Sequence, residues 1–290
     1  KGFSRSPDGQ WNCWLDPEMK IAYIRLTGFM ENTADELTEL LTKLRKEGVR
    51  GLVLDLRFNP GGLLKAAVDV CDVFLPSGQR IVSTRGRESD PWEVAATKEQ
   101  GFTETPMILL VNDISASASE IVSGALQDHH RAMILGERTF GKGLVQNLEQ
   151  LNQLGNSYIK LTTAKYYLPK GRCIQKELGA PIWGVDPDVR VKLVPKEIRK
   201  VLELRRQQDV LKGKNQKELV VEPEKETKET TSSPASQSAD GEEPDPIDED
   251  NRPEIDPQLE AATLIMRVRL LGQQPWPTET EQATARASSR

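Results

Sequence analysis

The amino-acid sequence predicts an α/β fold in which helices cover a sheet, followed by a C-terminal helix. Nearly continuous apolar runs at residues 51–57 and 106–111 are typical of strands that are buried on both faces of a sheet. Each run ends in a turn of glycine or small residues, and a segment with helical spacing of apolar side chains follows it. This repeated order of buried strand, turn and helix is typical of an α/β architecture.

The first elements can be placed from local patterns. Residues 1–19 predict an extended lead-in, and the alternating residues 20–27 predict the first strand. Residues 33–47 predict a helix, with Thr33 as its N-cap and Glu36 as the capping-box partner. The later patterns predict helices at 63–75, about 117–127 and 195–212, and strands at 131–137 and 157–168.

The last part of the chain has a different composition. Residues 213–253 contain almost no apolar side chains and predict a disordered acidic linker. Helical periodicity returns at residues 254–272, where Asp256 is the predicted cap and Pro257 begins the first turn. Residues 273–290 predict a disordered tail.

The formal net charge of −5 comes from the linker. Residues 222–250 carry eleven acidic side chains against two lysines, so the rest of the chain is slightly basic. No basic run with interleaved aromatic residues is present, so the sequence gives no support to nucleic-acid binding.

The three cysteines, Cys13, Cys71 and Cys173, lie far apart and form no CxxC pair. Their spacing predicts neither a zinc site nor a disulfide framework. Cys71 lies in an apolar helical pattern and is predicted to be in the core, whereas a Cys13–Cys173 pair stays open. No metal and no organic cofactor is predicted.

Three serines stand where a helix is predicted to begin, namely Ser115, Ser117 and Ser119. The unpaired backbone N–H groups at a helix N-terminus and the helix dipole favour negative charge that develops there. A serine at this place is therefore a candidate nucleophile. Serines also cap helices, and the residues alone do not choose among the three.

The best candidate for a base is Lys142. The only histidines, His129 and His130, are adjacent in a predicted solvated turn, and a Ser-His-Asp triad would need one of them. Lys142 lies in an apolar stretch with glycines on both sides, a setting that favours a neutral amine, although a surface lysine in a turn is the alternative interpretation. Gln146 follows four residues later and could orient the amine without adding charge.

Backbone donors could come from the sequence Asn59-Pro60-Gly61-Gly62, which follows a buried strand and opens a helix. Glycines at such a place let a ligand approach backbone N–H groups closely. Ordinary turn chemistry explains the same four residues equally well.

Taken together, these segments resemble the carboxyl-terminal processing peptidases, or tail-specific proteases, of serine peptidase family S41. The matching strings are GLVLDLRFNPGG, SASASEIVSGALQDH, GERTFGKGLVQ, YYLPKGRCIQ and GVDPD. The resemblance implies a ClpP/crotonase-like core of ββα units at 20–212, with a mixed sheet covered by helices. It assigns the nucleophile to Ser117, the general base to Lys142, the lysine orienter to Gln146, and the oxyanion donors to the backbone N–H of Gly61 or Gly62 and of Ala118.

The resemblance also implies an activity, a serine endopeptidase that cleaves polypeptides near their C-termini through an acyl-enzyme. It implies polypeptide substrates with exposed C-termini and an extracytoplasmic location, such as the bacterial periplasm or a membrane-associated exterior. Family members commonly carry a regulatory PDZ domain ahead of the core, and the lead-in at 1–19 is too short to hold one; a homo-oligomer stays open. The alternatives are a catalytically silent peptide-binding or scaffold protein and a crotonase-like acyl-transfer enzyme.

Overall fold

The fold is described from a computed structural model, in which residues 1–6, 9–86, 92–98, 101–151, 157–209 and 256–272 are placed. The predicted acidic linker at 213–253 and the predicted tail at 273–290 lie outside these residues. The strands are β1 (Ser4–Arg5), β2 (Trp11–Asn12), β3 (Trp14–Asp16), β4 (Ile21–Arg25), β5 (Gly51–Asp55), β6 (Arg80–Gly86), β7 (Trp92–Ala95), β8 (Met107–Val111), β9 (Met133–Gly136), β10 (Leu144–Gln150), β11 (Tyr158–Tyr167) and β12 (Val189–Arg190). The helices are α1 (Thr33–Lys46), α2 (Leu64–Phe74), α3 (Ala118–Asp128), α4 (Pro195–Asp209) and α5 (Pro257–Gly272).

A six-stranded mixed sheet forms the centre, with the strand order β12-β9-β8-β5-β4-β3. All neighbours are parallel except β3, which pairs antiparallel with β4. The α/β prediction is confirmed. Because β5 and β8 are adjacent and parallel, the turns that follow them meet at the same edge of the sheet, where α/β proteins usually place their sites.

The central sheet is buried on both faces, which explains its unbroken apolar strands. Every residue of β5 and β8 is buried. The side chains of Leu52 and Leu54 join the main core under α1 to α3, whereas Val53 faces the other way and joins a second cluster with Ala262 and Met266 of α5. The predicted C-terminal helix is therefore part of the fold and covers the second face of the sheet. Its predicted cap is also present, since the Asp256 carboxylate accepts a hydrogen bond from the N–H of Leu259.

A second sheet of four antiparallel strands has the order β10-β11-β6-β7. It contains the predicted strand at 157–168, seen as β11. A β-bulge interrupts the pairing of β10 with β11 between Val145 and Gln146. The strand that carries Gln146 is therefore irregular where it leaves the Lys142 loop.

One predicted helix start is wrong. The N-cap of α1 is Asn32, and Thr33 is already the first helical residue. The Thr33 hydroxyl accepts a hydrogen bond from Met30 N–H at 2.9 Å in the preceding turn, and the Asn32 amide donates to the Glu36 carboxylate. The Asn32 side chain makes no cap hydrogen bond, and Thr33 does not cap α1 because its hydroxyl accepts from the preceding turn.

The three cysteines are free thiols, which leaves the Cys13–Cys173 pair unformed. Cys71 is fully buried in α2, as predicted, and this burial raises the pKa of its thiol well above the ordinary value. No helix among the placed residues has the length and apolar character needed to cross a membrane.

Candidate active site

Ser117 is the one serine of the cluster whose residue is partly exposed. The Ser115 hydroxyl donates to the carbonyl of Leu56 at 2.9 Å, and the Ser119 hydroxyl donates to the carbonyl of Asn59 at 2.9 Å; both serines are fully buried. These two side chains fasten α3 to the segment after β5. The structure thus separates two structural serines from Ser117, a distinction that the sequence alone does not make.

Ser117 is the N-cap of α3 and adopts φ of 54° and ψ of −112°. A positive φ is uncommon for a residue other than glycine, and such conformations persist only where the surroundings enforce them. The Glu120 carboxylate does so here, because it accepts a hydrogen bond from Ser117 N–H at 2.8 Å. The side chain of Ser117 therefore stands at the start of α3, where the helix dipole favours an anion.

The glycine turn (residues 58–62) faces this serine. A Cβ atom on Gly61 would lie 3.0 Å from the Ser117 Cβ and 2.7 Å from the Ala116 carbonyl oxygen, so only glycine permits the approach. The N–H of Gly61 is already used, since it donates to Asn59 Oδ1 at 2.9 Å. Within the placed ranges, no acceptor takes a hydrogen bond from the N–H of Gly62 or of Ala118. These two donors are the ones available to a ligand.

Glu120 connects the candidate nucleophile to the candidate base. Its side chain is fully buried and accepts four hydrogen bonds: from the N–H of Ser117 and of Lys142, both at 2.8 Å to Oε2, and from the Gly141 N–H and the Thr139 hydroxyl, both at 2.6 Å to Oε1. Because Ser117 and Lys142 donate to the same oxygen, their backbones are immediate neighbours. Burial raises the pKa of the Glu120 carboxyl, while the hydrogen bonds act in the opposite direction.

Lys142 lies in the loop before β10 and is partly exposed. The glycines on both sides of it are required by packing. A Cβ atom on Gly141 would lie 2.6 Å from the Trp183 ring, and one on Gly143 would lie 2.5 Å from the backbone nitrogen of Gln175. The lysine loop is therefore held between α3 and the chain around residues 174–183.

The backbones of Ser117 and Lys142 are neighbours at Glu120, but the side chains of the candidate catalytic group are not bonded to one another. No hydrogen bond joins Ser117 to the Lys142 amine, or Lys142 to Gln146, in the part of the chain that the structure describes. Gln146 is exposed and pairs with Thr162 beyond the β-bulge. The structure brings Ser117, Lys142 and the glycine turn together and leaves Gln146 at the margin.

Both histidines lie at the other end of α3. His129 is the C-cap of the helix whose N-cap is Ser117, which separates them by about 18 Å of helix. The His129 ring contacts the Arg80 carbonyl oxygen at 2.6 Å. A histidine-based triad with Ser117 is therefore excluded by geometry. The placed residues contain no group of three or more His, Cys, Asp or Glu side chains that could hold a metal ion.

Sequence reasoning missed Glu120 and its partner Thr139. The signal for Glu120 was present, because Ser117 and Glu120 have the spacing of a capping box, in which the acidic side chain returns to the backbone of the cap. The Thr139 hydroxyl donates to Glu120 and accepts from Val185 N–H at 2.7 Å, so it joins three segments that are distant in sequence. No local sequence pattern predicts such a contact.

We predict that Gly62→Ala lowers kcat/KM for the peptide hydrolysis that the family resemblance implies by about 100-fold or more, the usual effect of losing one oxyanion donor. A Cβ atom there would lie 2.2 Å from the Phe29 carbonyl oxygen, so the glycine turn must shift. Gly78→Ala is the matched control, since Gly78 also has a positive φ (+87°) but nothing within 4 Å of the added Cβ. Steady-state kinetics of both variants test this, and wild-type activity in Gly62→Ala would contradict it.

Comparison with known proteins places these features in a family context. The model for peptidase family S41 matches residues 20–191. The carboxy-terminal-processing protease of Bartonella bacilliformis is 46% identical over 179 residues, which is 60% of this chain and 39% of the relative. The carboxyl-terminal-processing protease of Synechocystis sp. is 42% identical over 172 residues, 59% of this chain and 38% of the relative.

Among solved structures, the photosystem II D1 C-terminal processing protease is similar, with a TM-score of 0.52 and 38% identity. The match covers 59% of this chain and 42% of that one. The present chain therefore spans less than half the length of each of these three proteins.

Proposed function

The chain belongs to peptidase family S41, and we propose from this premise that it is a serine endopeptidase that cleaves polypeptides near their C-termini. The observation that carries the proposal is the Glu120 bridge. It holds Ser117, at the start of α3, directly beside the Lys142 loop and opposite the glycine turn. The residues that carry the hydroxyl and the amine are thereby neighbours of unpaired backbone donors at one edge of the sheet.

In the proposed reaction, the neutral Lys142 amine takes the proton of the Ser117 hydroxyl as Oγ attacks the carbonyl carbon of the scissile bond. The protonated lysine then gives that proton to the leaving amine, and an acyl-enzyme remains on Ser117. Water hydrolyses the ester and restores both groups. In the free enzyme, catalytic hydrogen bonds are often unformed and tighten only when substrate binds, so side-chain rotation of Lys142 would complete the pair.

The oxyanion of the tetrahedral intermediate would be held by the N–H groups of Gly62 and Ala118. Their lack of another acceptor among the placed residues supports this choice, whereas the N–H of Gly61 is committed to Asn59. Backbone donors fixed before the reaction stabilise developing charge without reorganisation. Gln146 is proposed to orient the Lys142 amine once the bulge in β10 adjusts.

The substrate class follows from the relatives, which are named for carboxyl-terminal processing. We propose polypeptides with unfolded, exposed C-termini as substrates and an extracytoplasmic site of action. Capture of the substrate by a PDZ domain outside this chain, and assembly into a homo-oligomer, belong to the same proposal.

The proposal is tested by incubating the chain with an unfolded protein and mapping the fragments by mass spectrometry over time. We expect new ends to appear first near the C-terminus of the substrate, and no fragments from a Ser117→Ala sample prepared in parallel. Identical fragments from both samples would point to a contaminating protease and defeat the proposal.

A catalytically silent peptide-binding protein is the second candidate, and the exposed position of Gln146, which pairs with Thr162 beyond the β-bulge, favours it. It predicts that unfolded chains bind to the wild-type protein without any cleavage at high enzyme concentration.

A further inference from the structure

Arg57 lies at the point where β5 leads into the glycine turn, and its charge is buried. The residue is 2% exposed, so its guanidinium needs partners on every side. Asp55 provides one, with its carboxylate 2.8 Å from Nη2. The other comes from the far end of the chain, because Asp256 accepts from Nη1 at 2.9 Å and from Nη2 at 2.7 Å. Two parallel bonds of this kind fix the plane of the guanidinium as well as its position.

The start of α5 adds a second contact to the same guanidinium. Gln258 is fully buried, and its side-chain oxygen accepts from Arg57 Nη1 at 2.9 Å while its nitrogen donates to the Val191 carbonyl at 2.7 Å. Asp256 and Gln258 therefore act on Arg57 from one helix start. An ordinary surface cap would need neither of these contacts.

Helix α4 holds the same segment from another direction. The Arg205 guanidinium donates to the Arg57 carbonyl oxygen at 3.0 Å, binds the Asp55 carboxylate, and lies 4.8 Å from the centre of the Phe58 ring. Phe58 has a φ of 62°, a strained conformation that needs enforcement from its surroundings. Both α4 and α5 lie beyond residues 20–191, the part that matches the family.

We call Arg57 and its partners Asp55, Asp256, Gln258 and Arg205 the clamp. Within the clamp, Arg57 lies a few residues before the proposed oxyanion donor in the chain. Phe58 follows Arg57 and donates its N–H to Asn112 Oδ1 at 2.8 Å, and the glycine turn then reaches Gly61 against Ser117. A displacement of Arg57 is therefore transmitted over a few residues of backbone to Gly62. A misplaced backbone N–H donor raises the energy of the transition state most, because the oxyanion forms there.

We propose that Asp256, at the start of α5, is a positioning residue for this reaction, which holds Arg57 and thereby sets the glycine turn. The inference rests on the proposed peptidase function. It assigns to the C-terminal helix a role in rate and not only in the stability of the sheet that it covers.

The test compares Asp256→Asn with Arg267→Ala in the full chain. Arg267 also ties α5 to the core, through Asp16 at 2.7 Å, but has no contact with the clamp. We expect Asp256→Asn to lower kcat by about 10-fold to 100-fold with KM changed by less than about 3-fold, since oxyanion donors act mainly on the transition state. Arg267→Ala should keep the wild-type kcat and lose less thermal stability than Asp256→Asn, because half of the Arg267 side chain is exposed.

Hydrogen exchange measured by mass spectrometry on the peptide that covers the glycine turn gives a readout that needs no activity. Faster exchange there in Asp256→Asn, and not in Arg267→Ala, supports the clamp whether or not the chain cleaves peptides. If the chain shows this exchange but cleaves nothing, only the proposed function fails. Equal kcat losses in the two variants, or unchanged kcat and exchange in Asp256→Asn, would overturn the proposal.

Should Asp256→Asn not fold, Arg205→Lys tests the clamp from α4. This variant keeps the charge but cannot bind the Asp55 carboxylate and the Arg57 carbonyl together, because lysine lacks the planar fork. We expect the same loss of kcat and the same faster exchange, and full activity with normal exchange would overturn the proposal.

Discussion

Replacing Ser117 with alanine is expected to lower kcat/KM for peptide hydrolysis by about 10⁴-fold to 10⁶-fold, the range seen when a serine protease loses its nucleophile. The change removes one oxygen from a partly exposed residue at the start of α3. The bond that holds the turn, from Ser117 N–H to Glu120, is made by the backbone and survives. The variant should therefore fold normally and be inactive, as near-unchanged thermal unfolding together with lost cleavage would show.

Its controls are the neighbouring serines. Ser115→Ala and Ser119→Ala each remove a buried hydroxyl that donates to a carbonyl of the adjacent segment, so their first effect is on stability. If Ser119→Ala abolished cleavage while Ser117→Ala did not, the assignment of the nucleophile would be wrong.

The same experiment extends to the base. Lys142→Ala should inactivate as strongly as Ser117→Ala, and the double variant should be no worse than either one, because the two groups act as a unit. Lys176→Ala is the matched control: its backbone N–H contacts the Gly141 carbonyl at 2.9 Å, but its amine lies 5.0 Å from the centre of the Trp183 ring. A comparable loss in Lys176→Ala would show that the effect is not specific to Lys142, and it would contradict the assignment of Lys142 as the base.

The sequence predicted the elements of the central sheet well because their signals are local. An unbroken apolar run such as 106–111 reports burial on both faces, and the structure places β8 there with both faces covered. The predicted N-cap Thr33 was wrong, because its hydroxyl bonds to the preceding turn and the sequence pattern does not show that contact. The sequence could not show the Arg57–Asp256 pair, because its members are 199 residues apart and no periodicity joins them.

In the candidate site too, local signals were predictable from the sequence and long-range contacts were not. Lysine was preferred over histidine on local grounds, and the placement of His129 at the far end of α3 agrees with that preference. The glycines beside Lys142 make room for Trp183 and Gln175, a requirement that only the tertiary packing reveals.

Glu120→Gln is expected to cost about 1–3 kcal/mol of folding stability, the usual effect of leaving a buried hydrogen-bond donor without an acceptor. All four contacts of the carboxylate are donors, so a glutamine would have to place its NH₂ group against two of them. Lys142 and Ser117 share Oε2, and Thr139 and Gly141 share Oε1, so neither orientation of the amide avoids the conflict. One donor pair must move, and with it either the nucleophile and the base or the loop that carries the base.

Loss of stability alone would not identify this role, so the control is another buried carboxylate. Asp72, in α2, accepts hydrogen bonds from the N–H groups of Thr97 and Lys98 and from the Thr97 hydroxyl. None of these partners belongs to the lysine loop. Asp72→Asn should lower stability by a similar mechanism and leave kcat near the wild-type value at a temperature where the protein is folded. Glu120→Gln should lower kcat by about 100-fold or more under the same conditions, because near-attack geometry is lost with small displacements. Equal kcat values in the two variants would reduce Glu120 to a structural carboxylate, and the Glu120 bridge would no longer support the proposed pairing of Ser117 with Lys142.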